Sequence, residues 1–519
     1  MNRVFYVEEL VQWIAFSADD GSPGSASLLA LASCCKTLEG PVMDVLWQRQ
    51  KHLHTILRTL PANSWTTVDR VHVSRNVFQA SKPLILLAFQ HMIRTPTTDE
   101  WERFKKYAAR VVELFVGKAA VSPETISFLG MRSALDPLWP RLTSLRLTGG
   151  LGWAVVPTLT LLSPKITNLV LTIPQGSDIL LLPTLSIVSD RCHSLRGLVL
   201  DIFVGDTSSV LGVGGLIIAS RDTLRTLEIK SHFKADYLPF VADLPHLRSL
   251  KLGRSSFPHY FPSDAFPSLE EVTILRFRGQ RLQDFFKHLR TTGLRVVDVG
   301  GTIDAVAFKE SMAALSRFSA SLTTLKFTNV PNLVLPGGVV PRLLFTNLTH
   351  LHVGCLCAGD GIQGRCAFQP TDQTITELGA ATPNITHLTL GNPTCHAPQC
   401  ATFVSLVSLS KTCRDLETLG IKVDLQTMVG PSIHGSENAG TGAAFGGSQD
   451  NPCKLRTLVV GLSTLPDHSE SGWIVAIGLG KIFPSLSEVV GHHDLDRHKW
   501  EGVGRNIGML RQVLCTVQQ

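Results

Sequence analysis

The most regular feature of this chain is a six-residue unit with apolar residues at its first, fourth and sixth positions. Its fourteen copies start at Val111, Leu142, Ile166, Leu195, Leu224, Leu247, Leu269, Leu294, Leu322, Leu348, Ile385, Leu416, Leu455 and Leu486. Side chains alternate between the two faces of a β-strand, so the fourth and sixth residues share one face and the third and fifth share the other. Each hexamer therefore predicts a short strand with one buried face.

The spacing of the hexamers predicts how these strands are connected. From Leu142 to Leu348 successive copies are 24, 29, 29, 23, 22, 25, 28 and 26 residues apart, and the later steps are 37, 31, 39 and 31. Segments between them, such as RLQDFFKHLRTTGL and AVAFKESMAALSRFSASL, carry apolar residues at helical spacing. A β-sandwich would instead repeat its strands every 8–12 residues or so, without helices. The pattern favours a mixed α/β chain of strand-and-helix repeats.

One such repeat cannot bury its own apolar face and needs neighbours on both sides. A period of about 20–29 residues is typical of leucine-rich repeats, and residues 111–491 resemble that family. The resemblance implies an α/β horseshoe solenoid of about 13 repeats, with its strands on the concave face. The family's regular Asn or Cys, three positions after the last Leu, is missing, and Ser255 stands there in one repeat. We therefore expect a loose solenoid with variable turns.

Residues 1–60 have the pattern of short helices rather than of strands. The apolar positions of three successive helices are Leu10 and Ile14, then Leu28 and Leu31, then Leu46 with Trp47. We expect the second helix to stop near Gly40, because Pro41 suits the first turn of a third helix. The segment predicts a small all-α module that precedes the solenoid.

Three short helices that end in Leu46–Trp47 resemble an F-box, although Val7 stands where that family has a proline and Leu38 where a Trp is common. We expect linking helices over residues 61–110. Trp101–Leu114 resembles a segment found between F-box and repeats in proteins of mushroom-forming fungi. The order of helical module, linking segment and repeats supports this resemblance more strongly than any single motif does.

This resemblance implies the substrate-recognition subunit of a Skp–cullin–F-box ubiquitin ligase, which binds a protein substrate and performs no chemistry itself. The residues that match the adaptor-binding positions of that family are Leu10, Ile14, Leu28, Leu31, Leu46 and Trp47. The alternative is that these helices only cap the solenoid, as every solenoid requires. The protein would then be a scaffold or inhibitor with no connection to a ligase.

Composition narrows the classes of partner and location. The chain has 48 Lys+Arg against 42 Asp+Glu, a net charge of +6, which is too small an excess for a dedicated nucleic-acid binder. Glu8 and Glu9 lie where a signal peptide would need an uninterrupted apolar run. The apolar run Val210–Ala219 is too short to span a bilayer. Eleven Cys without a secretory signal predict reduced thiols and a cytoplasmic or nuclear protein.

The strand register predicts which polar side chains line the concave face. The third and fifth hexamer positions include Arg146, Glu228, Lys251, Asp298, Lys326, His350, His352 and His387. Charges of both signs suit a protein partner better than a phosphate backbone, which demands one sign. We therefore expect these eight residues to contact the protein substrate.

The three histidines allow another interpretation. His350 and His352 share a strand face, and His387 has the register of His350 in the next repeat. Because neighbouring strands lie about 4.8 Å apart, three imidazoles could hold zinc, and a metal-dependent enzyme is the alternative function. The cysteines nearby match no common zinc spacing, and no catalytic signature has a suitable context. We predict no metal, no cofactor and no enzymatic activity.

Two segments depart from the repeat pattern. Residues 430–451 are rich in Gly and polar residues and predict a disordered insertion, and their GTGAAFGGS lacks the Lys-Ser/Thr ending of a phosphate loop. Residues 492–519 open with HHDLDRH, which predicts a polar capping turn after the last repeat.

Overall fold

The computed structural model describes residues 26–34, 36–71, 86–117, 121–135, 138–148, 159–173, 178–202, 207–233, 235–255, 261–262, 264–278, 281–330, 345–355, 370–392, 401–425, 452–461, 463, 465, 471–491 and 494–518. The chain forms two compact units, Met1–His232 with Leu244–Leu247 and Phe233–Asp243 with Arg248–Gln519. The predicted insertion at 430–451 lies outside the described residues, as do Leu10 and Ile14.

The principal element is a parallel sheet of 15 strands that lie in the order of the chain. Its strands are β1 Arg49–Gln50, β4 Glu113–Val116, β5 Ser144–Leu147, β6 Asn168–Ile173, β7 Gly197–Ile202, β8 Thr226–Phe233, β9 Ser249–Ser255, β10 Glu271–Arg278, β11 Val296–Thr302, β12 Thr324–Val330, β13 His350–Cys355, β14 His387–Leu390, β15 Thr418–Ile421, β16 Thr457–Gly461 and β17 Glu488–Gly491. Two further strands, β2 Trp65–Val71 and β3 Leu86–Met92, form a separate antiparallel pair.

Helices lie before, between and after the strands of the sheet, and many of those in between form the crossover connections that parallel strands need. In the described part of the chain they are α1 Ala26–Cys34, α2 Lys36–Gln48, α3 Leu53–Leu57, α4 Thr98–Ala108, α5 Pro123–Leu135, α6 Asp178–Arg191, α7 Thr207–Ala219, α8 Leu238–Ala242, α9 Leu282–His288, α10 Ala305–Leu315, α11 Asp372–Ala381, α12 Phe403–Thr412, α13 Ser471–Ile482 and α14 Asp494–Gln518. The predicted mixed α/β, solenoid-like repeat of strand and return segment is therefore present.

The hexamers form the core as their pattern predicts. Each of the fourteen contains a strand that begins at its third residue. The first residue is at most 1% exposed in every hexamer, the fourth is always buried, and the sixth is buried in all but the last. Each buried Leu side chain contributes about 1.5–3 kcal/mol relative to exposure. The inward positions of the repeat are confirmed.

Hydrogen bonds between successive repeats begin one residue before each strand. The amides of Thr323 and Thr324 both donate to the carbonyl oxygen of Arg295, at 2.9 and 3.0 Å. The hydroxyl of Thr323 donates to the same oxygen at 3.1 Å. The hydroxyls of Thr349 and Thr386 donate to the carbonyl oxygens of Thr323 and Thr349, at 3.0 and 2.9 Å. We call these three residues the threonine ladder. It joins repeats in which the family's Asn is missing.

The boundary between α1 and α2 differs from the prediction. The expected helix end near Gly40 is wrong, because α1 already ends at Cys34 and α2 runs through Pro41. A proline inside a helix removes one backbone donor. Packing outweighs this loss, since Leu38 and Val42, one helical turn apart, are both buried in one apolar cluster.

Residues 61–110 contain more than the linking helices that we expected. A strand pair, Trp65↔Met92 to Val71↔Leu86, precedes a single α-helix, α4. The β-branched and aromatic residues of WTTVDRV favour a strand. Helix α4 begins with a capping box, in which the Thr97 hydroxyl accepts from the Glu100 amide and the Glu100 carboxylate accepts from the Thr97 amide.

The end of the chain forms a long helix instead of the polar turn that we expected. Helix α14 buries Trp500, Val503 and Ile507, and the Trp500 Nε1–H donates to the carbonyl oxygen of Ser463 at 3.1 Å. This apolar stripe has helical spacing, which the polar start of the segment conceals. Among the described helices, none has the length and hydropathy to cross a bilayer.

Candidate functional site

The third and fifth positions of the hexamers form what we call the outward strand face, which carries all eight predicted substrate-binding residues. In the first unit the fifth-position row is Phe115, Arg146, Val170, Val199 and Glu228. In the second unit it begins Lys251, Thr273, Asp298, Lys326, His352 and Thr389. The third-position row of that unit includes Thr324, His350, His387 and Thr418. Contact of these residues with a substrate stays a prediction.

The first unit holds its two predicted residues apart. Arg146 lies on β5 and Glu228 on β8, three strands or about 14 Å away. The Arg146 guanidinium lies 5.8 Å from the Phe115 ring centroid, and the Glu228 carboxylate lies 3.9 Å from the Lys230 ammonium. Each charge therefore has a partner of its own, and they do not form one site.

The second unit brings more of its residues together. Lys326 pairs in register with Asp298 on one side and His352 on the other. Lys251 lies three strands from Lys326 and belongs to a different part of the face. Within the described residues, neither Asp298 nor Lys326 forms an ion pair or hydrogen bond. The charges of Asp298 and Lys326, at the centre of this face, are therefore available to a ligand.

His350 and His387 form the best-defined feature of the face. They are register partners on β13 and β14. Their rings stack with centroids 4.3 Å apart and planes inclined by 7°. This confirms the register that the sequence predicts, and we call the two rings the histidine stack.

The threonine ladder also holds the histidine stack. The Thr349 hydroxyl lies 3.0 Å from the carbonyl oxygen of Thr323 and 2.9 Å from Nδ1 of His350. Thr386 holds Nδ1 of His387 in the same way, also at 2.9 Å. In both rings Nδ1 is therefore engaged by a hydroxyl, whichever of the two atoms is the donor.

The surroundings favour the neutral form of two of the histidines. Desolvation lowers the pKa of His350, and the charges of His387 and Lys326 lower it further. Desolvation and Lys326 lower the pKa of His352, while Asp298 opposes the change. The His352 ring extends over Gly354, where a Cβ would lie 2.9 Å from its Nε2. Glycine therefore makes room for this imidazole.

The alternative interpretation required His350, His352 and His387 to converge in a metal-like geometry, which they do not. Within the described residues, no three or more His, Cys, Asp or Glu side chains are placed to hold one ion. The rings of His350 and His387 face each other in parallel rather than pointing to a common centre. The side chains present do not favour the metal-dependent interpretation.

Four of the six predicted adaptor-binding residues lie in the described part of the chain. Leu28 is 1% exposed and forms a core with Leu38 and Val42, against which Leu31 and Leu46 pack. Trp47 packs on Tyr107, with ring centroids 4.8 Å apart. Leu28 thus has an internal packing role, while its neighbour Leu29 is 47% exposed. Adaptor binding stays a prediction for all six.

Helix α2 leads directly into the main sheet. Strand β1 follows it at once and pairs with β4, and the Gln48 carbonyl oxygen accepts from the Val112 amide at 2.9 Å. The Asp44 carboxylate accepts from Arg110 and, at 3.2 Å, from Arg141. These contacts fix α2 to the start of the sheet, as an N-terminal cap would be fixed.

Two features of the second unit were not predicted from the sequence. The threonine ladder is visible as Thr at the second position of three successive hexamers. Exposed Arg254 and Arg276 are register partners just beyond the fifth-position row. Arg276 lies where the register of β10 with β11 shifts, and the hexamer pattern does not predict this irregularity.

Comparison with known proteins does not identify the chain. Neither the models of protein families nor the curated proteins include a match to its sequence. The functional argument therefore depends on the residues and their geometry.

Proposed function

We propose that this protein is the substrate-recognition subunit of a Skp–cullin–F-box ubiquitin ligase, located in the cytoplasm or nucleus. Its sheet is a leucine-rich repeat domain that binds a protein substrate on the outward strand face. Its N-terminal helices bind the Skp-type adaptor, which connects it to the cullin. It performs no chemistry and binds neither nucleic acid nor membrane.

The observation that carries substrate binding is the unpaired mixed charge of the second unit. Asp298, Lys326 and His352 occupy adjacent strands, and none of the three forms a hydrogen bond or ion pair among the described residues. Oppositely charged neighbours on adjacent strands contribute only about 0.2–1 kcal/mol to a fold, whereas a protein ligand can pair with them and bury them. The free thiols of Cys34, Cys192, Cys413 and Cys453 support a reducing compartment.

The support for the adaptor contact is the apolar surface of α1 and α2. Leu31 and Leu46 are partly exposed, and Leu29 on α1 is 47% exposed. These side chains leave apolar surface on the two helices that is available to a partner.

A second candidate function is a scaffold or inhibitor without a ligase, and one observation favours it. The contacts of α2 with β4 and Arg110 make it a cap on the sheet, which accounts for these helices without an adaptor. The two functions differ in whether the Skp-type adaptor binds.

The substrate test compares two triple variants of the full chain. In the first, Lys251→Ala, Asp298→Ala and Lys326→Ala change the outward strand face. In the matched control, Lys309→Ala, Glu310→Ala and Lys411→Ala change exposed helix positions. Affinity capture with quantitative mass spectrometry should lose the partner in the first variant alone. Equal capture by both variants would rule out substrate binding on this face.

The adaptor test uses purified Skp-type adaptor and the full chain. Leu31→Ser with Leu46→Ser should weaken binding at least about tenfold, because both apolar contacts are lost. Leu182→Ser, an exposed apolar position on α6, is the control. Thermal unfolding must show that the sheet stays folded. If the unchanged protein does not bind the adaptor, the scaffold function replaces the ligase function.

A further inference from the structure

The histidine stack presents two ring nitrogens without a hydrogen-bond partner. Both Nδ1 atoms are hydrogen-bonded to the threonine ladder. Neither Nε2 has a hydrogen-bond partner within the described residues, and both rings are partly exposed. A protonated ring carries a hydrogen on Nε2, which is then a donor on the free edge of the stack.

The charges around the stack decide which ligand fits it. The charged and titratable groups on the neighbouring strands, among the described residues, are Lys326 on β12, His352 on β13, Asp298 on β11 and Glu417 just before β15. Lys326 is the register partner of His352, and its charge lowers the pKa of both His350 and His352. Asp298 lies one strand farther away, on the other side of Lys326.

A cationic ligand fits this arrangement poorly. It would lie beside the positive charge of the Lys326 ammonium, which repels it. An anionic ligand is attracted by that ammonium. An imidazole that gains a proton adapts to such a ligand, because its Nε2 then carries a hydrogen that it can donate.

We infer that the histidine stack and Lys326 form an anion-binding site that holds an acidic segment of the protein partner. This inference rests on the proposed substrate binding at the outward strand face and names the chemistry of that substrate. A side-chain carboxylate of the segment accepts from Nε2–H of His350 and His387 and pairs with the Lys326 ammonium. Such charge-assisted hydrogen bonds are about twice as strong as neutral ones.

Binding at this site takes up protons. Free His350 is mostly neutral at pH 7, because its surroundings lower its pKa. A bound carboxylate favours the charged ring and raises that pKa. Affinity therefore rises as pH falls from about 8 to 6, by up to tenfold per pH unit for each proton taken up. A glutamate ligand stays ionised over this range, since its ordinary pKa is about 4.3.

The test measures binding of a fluorescein-labelled hexaglutamate peptide to the full chain by fluorescence anisotropy. We expect binding about five- to tenfold tighter at pH 6 than at pH 8, and none of the matching hexaglutamine peptide. His350→Asn with His387→Asn keeps a donor for each threonine hydroxyl but removes both Nε2 atoms. This variant should lose the pH dependence. His246→Asn, at an exposed position outside the stack, should keep it.

A second measurement needs no substitution. With isotope-labelled histidine, the NMR titration of the stacked imidazoles should move to higher pH when hexaglutamate is added. An unchanged titration, or peptide binding that is equal at both pH values, overturns the inference. If the face still captures its natural partner in that case, the proposed function survives. If Lys251→Ala, Asp298→Ala and Lys326→Ala leave that capture intact, the proposed function fails instead.

Discussion

Substitution of Thr349 by Val tests whether the threonine ladder supports the sheet and the histidine stack together. The hydroxyl lies 3.0 Å from the carbonyl oxygen of Thr323 and 2.9 Å from Nδ1 of His350, within hydrogen-bond distance of both. Valine has nearly the same shape and favours strands equally, so both hydrogen bonds are lost with little change in packing. The backbone bond from the Thr349 amide, at 2.9 Å, remains.

The expected cost follows from those two bonds. A hydrogen bond contributes about 0.5–1.5 kcal/mol net, and the site is only partly buried. We therefore expect a loss of about 1–2 kcal/mol, which makes local opening about 5–30 times more frequent. The control is Thr418→Val, because the Thr418 hydroxyl has no hydrogen-bond partner among the described residues. It should change stability by less than about 0.5 kcal/mol.

Hydrogen exchange read by mass spectrometry suits this comparison, because a chain of two units need not unfold in one step. The amide of His387 donates to the carbonyl oxygen of Thr349 at 2.9 Å and reports on the joint between β13 and β14. Its protection should fall in Thr349→Val and stay unchanged in Thr418→Val. NMR should also show a changed chemical shift of Nδ1 of His350, because this atom loses its hydroxyl partner. Equal protection in both variants would refute the role of the ladder.

Three further predictions concern single residues. Gly301→Ala should destabilise the protein by about 2–4 kcal/mol in urea unfolding, because its φ is +134° and a Cβ would lie 2.3 Å from a backbone oxygen of the facing strand. The Arg94 guanidinium lowers the pKa of Glu100 to about 2. The ionised Glu100 carboxylate therefore stabilises the folded state fully above the ordinary pKa of glutamate, and this stabilisation is lost as pH falls toward 2. Glu100→Gln should therefore flatten the thermal stability profile between about pH 5 and 2. In the folded protein, iodoacetamide should label exposed Cys34 and spare Cys192, because burial raises the pKa of that thiol to about 12.

Each of these has a control in the same chain. Gly472→Ala in α13 should stabilise by up to about 1 kcal/mol, since a Cβ there meets nothing within 4 Å. Glu102→Gln removes an exposed ion pair with Lys105 and should leave the acid profile unchanged. In urea, Cys192 should react like any free thiol. If a test and its control gave the same measured stability, acid profile or labelling, the corresponding prediction would be contradicted.

The repeat could be predicted from sequence because its signal is both local and periodic. Every strand that starts at a hexamer's third residue follows from two facts, the alternation of side chains in a strand and the need to bury Leu. Strand β1 has no hexamer, and its two residues become a strand only because β4 lies beside them. The path of α2 through Pro41 likewise depends on packing that spacing does not reveal.

The candidate site was predictable in position but not in chemistry. The register placed His350 beside His387 correctly, since adjacent strands start at equivalent residues. The sequence could not show that their rings stack in parallel, or that Nδ1 is already engaged. Those facts decide against a metal geometry and in favour of two free Nε2 atoms, and they depend on side-chain torsions.

A repeated pentapeptide contains both stacked histidines, and its side chains show which of their atoms have a hydrogen-bond partner. NLTHL at 347–351 and NITHL at 384–388 differ only by Leu for Ile. In each, the Asn side chain donates to a carbonyl oxygen of the preceding repeat, the Thr hydroxyl does the same, and Leu is buried. The His Nδ1 is hydrogen-bonded to the Thr hydroxyl. Nearly every polar side-chain atom thus has a role in stacking one repeat on the next, and Nε2 has none. The two Nε2 atoms have no hydrogen-bond partner among the described residues, so they remain available to a ligand, and for this reason we place the proposed anion-binding site there.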